Sequence, residues 1–169
     1  MRLKKLYFMQ EKLDKRIIRE KGLQGQDLLE NTVTALLVEL GETANEWRGF
    51  KHWSADRRPR TEKLLVEYVD CLHFFLSIAR QLQLDPENLY DINTHIRPEG
   101  TTANMFTTLI YQVSRIGLCE SRASKELYFR QALELFMTLG RRLGFSYDQI
   151  AEAYVAKNEV NHQRQATGY

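Results

Sequence analysis

Residues 64–75, LLVEYVDCLHFF, place two acidic side chains inside an otherwise almost wholly apolar run. The apolar residues around Glu67 and Asp70 cover most of the circumference of a helix, which predicts a helix surrounded by others rather than one with a single buried stripe. A carboxylate in such a setting is costly unless a cation or hydrogen-bond donors accompany it. The segment therefore predicts the centre of a helical bundle and, within it, a site for chemistry.

The rest of the chain has the same helical periodicity. Its 169 residues include three prolines and nine glycines, most of them between periodic segments. Apolar residues recur at three- and four-residue steps, and no segment alternates as a strand does. The pattern predicts an all-α bundle of about six helices at residues 3–20, 26–48, 60–82, 102–119, 124–143 and 146–165. Gly140 is expected to interrupt the fifth helix, and residues 83–100 to form an irregular connection.

Length and composition limit the classes of protein that fit. A chain of 169 residues suits one core, so residues 1–169 are predicted to form a single domain. The net charge of +2 does not call for a nucleic-acid partner, and no apolar run approaches the roughly 20 residues that span a bilayer. The amino terminus does not suit a signal peptide, and Cys71 and Cys119 lack a metal-ligand spacing. These features predict a soluble, cytoplasmic protein with reduced cysteines.

Two pairs of acids carry the strongest functional signal. Glu39 and Glu42 are three residues apart, as are Glu67 and Asp70, so each pair lies on one face of its helix. The intervening chain is long enough for the two helices to face each other. One such pair alone is usually exposed surface. Two pairs, the second in an apolar run, favour a hard divalent ion, and Mg²⁺ fits oxygen ligands that substrate phosphates complete.

A polar motif repeats along the last predicted helix. Its members advance by three or four residues and share one face: Tyr154, Lys157, Asn158, Asn161, Arg164 and Gln165. A solvated terminal helix would explain this spacing. The alternative is a phosphate site, because a lysine and an arginine with interleaved amides supply charge-assisted donors to a triphosphate.

These motifs together resemble a known family. The acid pairs are similar to the E-x-x-E and E-x-x-D signature of the MazG-like, all-α nucleotide pyrophosphatases. Residues 45–54, NEWRGFKHWS, resemble the segment after the first pair in dimeric dUTPases, and Met9-Gln10 with Leu13-Asp14 resembles their first helix. The spaced motif from Tyr154 to Tyr169 resembles their carboxyl-terminal segment. One departure is Val66, where many relatives carry another acid.

The resemblance implies a Mg²⁺-dependent homodimer that hydrolyses dUTP to dUMP and pyrophosphate by attack of water on the α-phosphate. It implies that Glu39 positions or deprotonates the water and that Glu39, Glu42, Glu67 and Asp70 bind metal. The implied substrate-binding residues are Gln10, Phe50, Lys51, Trp53, Lys157, Asn158, Asn161 and Arg164. An incompletely covered central helix would agree with dimerisation.

Several alternatives stay open at this point. The same site suits a MazG-like pyrophosphatase for another or modified nucleotide, or a catalytically silent helical protein that binds nucleotides or a partner. Trp47 fits a core position as well as a base-binding wall. His73 fits a core histidine better than a partner of Asp70, and Arg57, Arg58 and Arg60 fit a solvated loop. His52, His95 and His162 lack ligand spacing, which argues against zinc.

Overall fold

A computed structural model describes residues 3–89 and 100–168. Within these two ranges the chain forms six α-helices and no strand, which confirms the predicted all-α bundle. The helices are α1 (Lys4–Glu20), α2 (Leu29–Trp47), α3 (Thr61–Gln81), α4 (Thr102–Leu118), α5 (Arg122–Arg142) and α6 (Tyr147–Ala166). Of the residues expected to break or cap the 83–100 connection, Asp91, Asn93 and Arg97-Pro98 lie outside the described ranges, as does His95.

Local capping explains several helix boundaries. Ser146 and Gln149 form a reciprocal capping box that starts α6, and Ser121 accepts a hydrogen bond from the Ser124 backbone N–H at the start of α5. An arginine caps the end of α2, one residue before Gly49. Arg48 takes the left-handed conformation at φ 63°, and its N–H bonds the Ala44 carbonyl. The arginine therefore performs the capping usually left to glycine.

Helix α3 lies at the centre, in contact with α1, α2, α5 and α6, while α4 packs on α2 and α5. Aromatic stacking fixes α5 on it: the rings of Tyr68 and Phe136 are 4.1 Å apart and nearly parallel, and Phe75 lies 4.8 Å from Phe136. Most large apolar residues of α3 are buried within the chain itself, while Val66 is 44% exposed and Leu65 and Phe74 are half-buried. The expected dimer stays a prediction.

Gly140 does not interrupt α5, which continues through it to Arg142. The glycine is needed for packing instead. A Cβ added there would lie 2.6 Å from Cζ of Tyr68, whose hydroxyl donates a hydrogen bond to the Phe136 carbonyl at 3.0 Å. The absent side chain lets the α3 ring approach the α5 backbone closely.

Other expectations concern the surface. None of the described helices combines the length and the apolar character that crossing a membrane requires. Cys71 is buried and Cys119 half-buried, and both are free thiols. Arg57 and Arg58 are exposed, as predicted for a loop, while Arg60 forms an ion pair with Glu46 at 3.2 Å.

Replacing Gly140 by alanine is expected to lower the free energy of unfolding by about 1–3 kcal/mol, because the new methyl group overlaps the Tyr68 ring. The matched control is Gly41→Ala, at an exposed helical position with open space, where alanine should stabilise by about 0.5–1 kcal/mol. Urea denaturation of both variants measures the difference. Equal stabilities would contradict the proposed role of this close contact.

Candidate functional site

Three acidic side chains meet between α2 and α3. One carboxylate oxygen from each of Glu39, Glu67 and Asp70 lies within 4.8 Å of the others, and all three residues are half-buried. Helix α2 carries the first, and one turn of α3 carries the other two. Glu42 is exposed and does not belong to this group, although its charge reaches the other three. Three of the four predicted metal ligands are thus brought together.

Burial and mutual repulsion disfavour the charged state of this acidic cluster. Burial, followed by the charges of Asp70, Glu42 and Glu67, raises the pKa of Glu39 to about 7. Burial is also the main cause that raises the pKa of Glu67 and of Asp70. Carboxylate oxygens gathered at this spacing suit a hard divalent cation, whose charge would reverse the effect.

One cation already reaches the cluster from α6. The Lys157 ammonium donates a hydrogen bond to Oδ2 of Asp70 at 2.5 Å, and both side chains are largely buried. This bond and the lysine charge work against the raised pKa of Asp70. The charge of Arg164 also lowers the pKa of Asp70, but burial outweighs both cations and the pKa stays raised.

The cluster borders a cavity of about 290 Å³ between α1, α3 and α6. Its lining carries both signs of charge, from Asp14, Glu39 and Asp70 and from Lys157 and Arg164. Six of the predicted site residues line it: Gln10, Glu39, Asp70, Lys157, Asn161 and Arg164. A polyanion that enters with a divalent cation would meet both kinds of charge in this space.

A network of hydrogen bonds forms the α1 side of the cavity. Gln10 is buried, and its Nε2 donates to Oδ1 of Asp14 at 2.7 Å and to Oγ of Ser77 at 3.1 Å. Its Oε1 accepts from the Tyr154 hydroxyl at 2.7 Å and faces Nδ1 of His73, also at 2.7 Å. Both ends of this predicted base-binding amide are therefore engaged by the protein.

The α6 motif divides between the interior and the cavity. Tyr154 and Asn158 are buried, and neither lines the cavity. Lys157, Asn161, Arg164 and Gln165 do line it. The six motif residues of α6 therefore lie on two faces, one buried and one lining the cavity, and not on the single polar face predicted from sequence.

The predicted aromatic wall lies away from the cavity. Phe50, Lys51 and Trp53 do not line it; Trp53 is 67% exposed and Phe50 38% exposed. The rings of Phe50 and Trp53 meet edge to face, with their centroids 5.8 Å apart. Phe50 also stacks on Trp47, with a centroid distance of 6.4 Å. Trp47 is half-buried against the core, and its ring lies 5.4 Å from that of Phe106. Its role is thus at least partly structural.

Several residues that line the cavity were not among the predicted site residues: Leu13, Asp14, Ile17, His73, Phe74, Ser77 and Gln165. Their signal was available, because Asp70, His73, Phe74 and Ser77 continue one face of α3, and Gln10, Asp14 and Ile17 one face of α1. His73 is neither a fully satisfied core histidine nor a partner of Asp70. Its Nδ1 bonds Gln10, while its Nε2 is buried without a hydrogen bond.

Comparison with known proteins shows the family to which the chain belongs. A family model described as dUTPase matches residues 2–169. No curated protein matches the chain.

Without divalent ions, the acidic cluster should make stability depend on pH. The pKa of Glu39 rises from an ordinary 4.5 to about 7 in the folded protein, which therefore holds a proton that the unfolded chain releases between these values. The free energy of unfolding consequently falls as pH rises from about 4.5 to about 7. Glu39→Gln should remove this component, whereas Glu152→Gln, at an exposed position of α6, should keep it.

Urea denaturation at pH 5 and pH 8 in EDTA measures the effect. If the wild-type protein and Glu39→Gln lose the same stability between the two pH values, the raised pKa of Glu39 is contradicted.

Proposed function

This chain belongs to the dUTPase family, whose model matches it over residues 2–169, and we propose that it hydrolyses dUTP to dUMP and pyrophosphate with Mg²⁺ as cofactor. The observation that carries the proposal is the half-buried acidic cluster at a cavity that Lys157 and Arg164 also line. Metal, triphosphate and water can then meet in one space.

Glu39, Glu67 and Asp70 would hold the metal, with Glu42 able to join them by a change of side-chain conformation. Bound there, Mg²⁺ would neutralise phosphate charge and orient the triphosphate. Lys157 now occupies part of the space around Asp70 that a divalent ion would use. Its ammonium is therefore proposed to turn from Asp70 to the phosphates when the site fills.

Glu39 is proposed as the catalytic residue. Its carboxylate lines the cavity within 4.8 Å of Asp70, where it could accept a proton from the attacking water; a bound cation would lower its pKa from the metal-free value of about 7. The water oxygen would form a bond to the α-phosphorus, while the bond from that phosphorus to the bridging oxygen of the β-phosphate breaks. The electron pair leaves with pyrophosphate, whose charge Lys157 and Arg164 would stabilise.

Base and sugar recognition is proposed for the part of the cavity between α1, α3 and α6. Asn161 and Gln10 line it, as the family resemblance implies, and Phe74 offers an aromatic wall. Asn158 is buried and does not line the cavity, so it would support the residues of the cavity wall rather than touch the substrate. Phe50, Lys51 and Trp53 would contact substrate only through a rearrangement or across a subunit boundary.

A homodimer is proposed on the exposed apolar residues of α2 and α4. Val38, Ile110, Tyr111 and Leu118 are between 38% and 74% exposed. A groove of about 380 Å³ lies between the two helices, lined partly by Val33, Leu37 and Leu118. Large exposed apolar surface of this kind is typical of a protein interface.

Two broader expectations stay predictions. We propose that residues 1–169 act as one domain and that the protein works in the cytoplasm. The nucleotide substrate and the two free thiols fit a reducing compartment.

Release of pyrophosphate across dUTP, dCTP, dTTP and UTP tests the proposed function. We expect hydrolysis of dUTP with Mg²⁺, little hydrolysis of the others, and none in EDTA. Glu67→Gln should lower kcat/KM by about a hundredfold or more, because it removes a metal ligand. The matched control Glu62→Gln, at an exposed position on the same helix, should leave it unchanged. Equal rates on all four nucleotides would reject uracil specificity. If no nucleotide yields pyrophosphate, the proposed enzymatic activity is rejected.

Sedimentation equilibrium tests the dimer. The wild-type protein should sediment as a dimer, and Leu118→Lys should shift it toward the monomer, because a charge would enter an apolar interface. Val160→Lys serves as the control, since Val160 is an exposed apolar residue on α6, away from α2 and α4. A wild-type monomer, or a dimer unaffected by Leu118→Lys, would contradict this choice of surface.

A further inference from the structure

A chain of hydrogen bonds with a defined direction runs from α3 through α1 and back to α3. Arg80 forms an ion pair with Asp14, and both side chains are about nine-tenths covered. The Ser77 hydroxyl also donates to the Asp14 carboxylate at 2.8 Å. Burial raises the pKa of Asp14, whereas the Arg80 charge and the hydrogen bonds from Ser77 and Gln10 lower it. In the ionised form that these partners favour, the carboxylate can only accept hydrogen bonds.

This carboxylate fixes the orientation of the Gln10 amide. Oδ1 of Asp14 lies 2.7 Å from the Gln10 amide, so the atom facing it must be the NH₂ group. The opposite orientation would place two acceptors in contact with no proton between them. Oε1 of Gln10 must therefore face α3 and α6, where the Tyr154 hydroxyl donates to it.

The amide in turn fixes the proton on His73. Oε1 of Gln10 lies 2.7 Å from Nδ1 of His73 and can only accept, so Nδ1 carries the hydrogen. Burial, followed by the charge of Lys157, lowers the pKa of His73 to about 3, against a smaller opposite effect of a hydrogen bond with the Tyr154 backbone carbonyl. The ring is neutral, and its Nε2 bears a lone pair.

Nε2 of His73 is buried, and no donor in the described parts of the chain forms a hydrogen bond to it. His73 is 4% exposed, its ring stacks on Tyr154 at 3.9 Å, and it forms part of the cavity wall. A buried acceptor without a partner is costly, so a donor on an occupant of the cavity would be favoured there.

We propose that Asp14 is a positioning residue for base selection: through Gln10 it holds His73 in the Nδ1–H tautomer, so that Nε2 accepts a hydrogen bond from the nucleobase. The inference rests on the proposed function, since it supplies the means by which a dUTPase would recognise uracil. Uracil carries an N–H at ring position 3. Cytosine has a bare nitrogen there, which would oppose its lone pair to that of Nε2.

The wild-type protein provides the first test. Long-range ¹H–¹⁵N spectra of full-length, ¹⁵N-histidine-labelled protein report the tautomer of each ring, and substitution of the other three histidines one at a time assigns His73. We expect the Nδ1–H form at pH 7. Addition of dUMP should shift the Nε2 resonance, and dCMP should not. An Nε2–H tautomer, a charged ring, or the same response to both nucleotides overturns the inference.

Asp14→Asn provides the second test because it can reverse the direction of the hydrogen bonds from Asp14 through Gln10 to His73. An asparagine can accept from Arg80 and donate to Oε1 of Gln10, which then turns its NH₂ group toward His73 and drives the ring to the Nε2–H form. The Tyr154 hydroxyl has an alternative acceptor in the Leu6 carbonyl, 3.3 Å away. We expect kcat/KM for dUTP to fall and that for dCTP to rise, with the ratio changing about tenfold or more.

Glu11→Gln is the matched control, because Glu11 lies on the same helix but pairs with Lys15 at the surface. It should leave both rates and the His73 tautomer unchanged. A purely structural role for Asp14 would lower kcat/KM for dUTP and dCTP alike and leave the ratio of the two values unchanged. That result overturns the inference. If Asp14→Asn does not fold, the wild-type spectra decide alone. A wild-type protein that releases no pyrophosphate from dUTP would instead reject the proposed function.

Discussion

Three carboxylates, held within 4.8 Å of one another and half-covered by helices, are the constraint on which the rest of this structure depends. Their charges repel, and burial removes the water that would otherwise screen them. Lys157 forms an ion pair with Asp70 of this cluster, and the charge of Arg164 also acts on Asp70. Such an arrangement costs stability, and the large apolar contact of α3 with its neighbours is what can offset that cost.

The packing of α3 also sets the geometry of the site. Tyr68 lies between Glu67 and Val69 in sequence, and its ring is fixed against Phe136 and the bare backbone of Gly140. Because Glu67 and Asp70 lie on the same turns of α3 as Tyr68, this buried contact fixes the directions in which their side chains leave the helix. On the other side, the hydrogen bonds of Gln10 with Asp14, Ser77 and Tyr154 tie α1 and α6 to α3 around the cavity. Rigid packing and a rigid polar network thus enclose a space with opposite charges on its walls.

Much of this could be predicted from sequence because it depends on local periodicity. The six helices and the meeting of Glu39 with Glu67 and Asp70 follow from residue spacing. The role of Gly140 could not, since it depends on a ring 72 positions away in the chain. Spacing likewise did not reveal that Tyr154 turns inward or that His73 keeps one unpaired nitrogen. Both facts arise from contacts among three helices, which a single periodic segment does not encode.

The most direct test of the central claim is a crystal structure with Mn²⁺ in place of Mg²⁺ and a non-hydrolysable dUTP analogue, using anomalous scattering to locate the metal. We predict a metal peak bound directly by oxygens of Glu39, Glu67 and Asp70, with the triphosphate between it and the α6 cations. A metal peak elsewhere, or an acidic cluster that stays metal-free while the analogue binds in another place, would contradict the account.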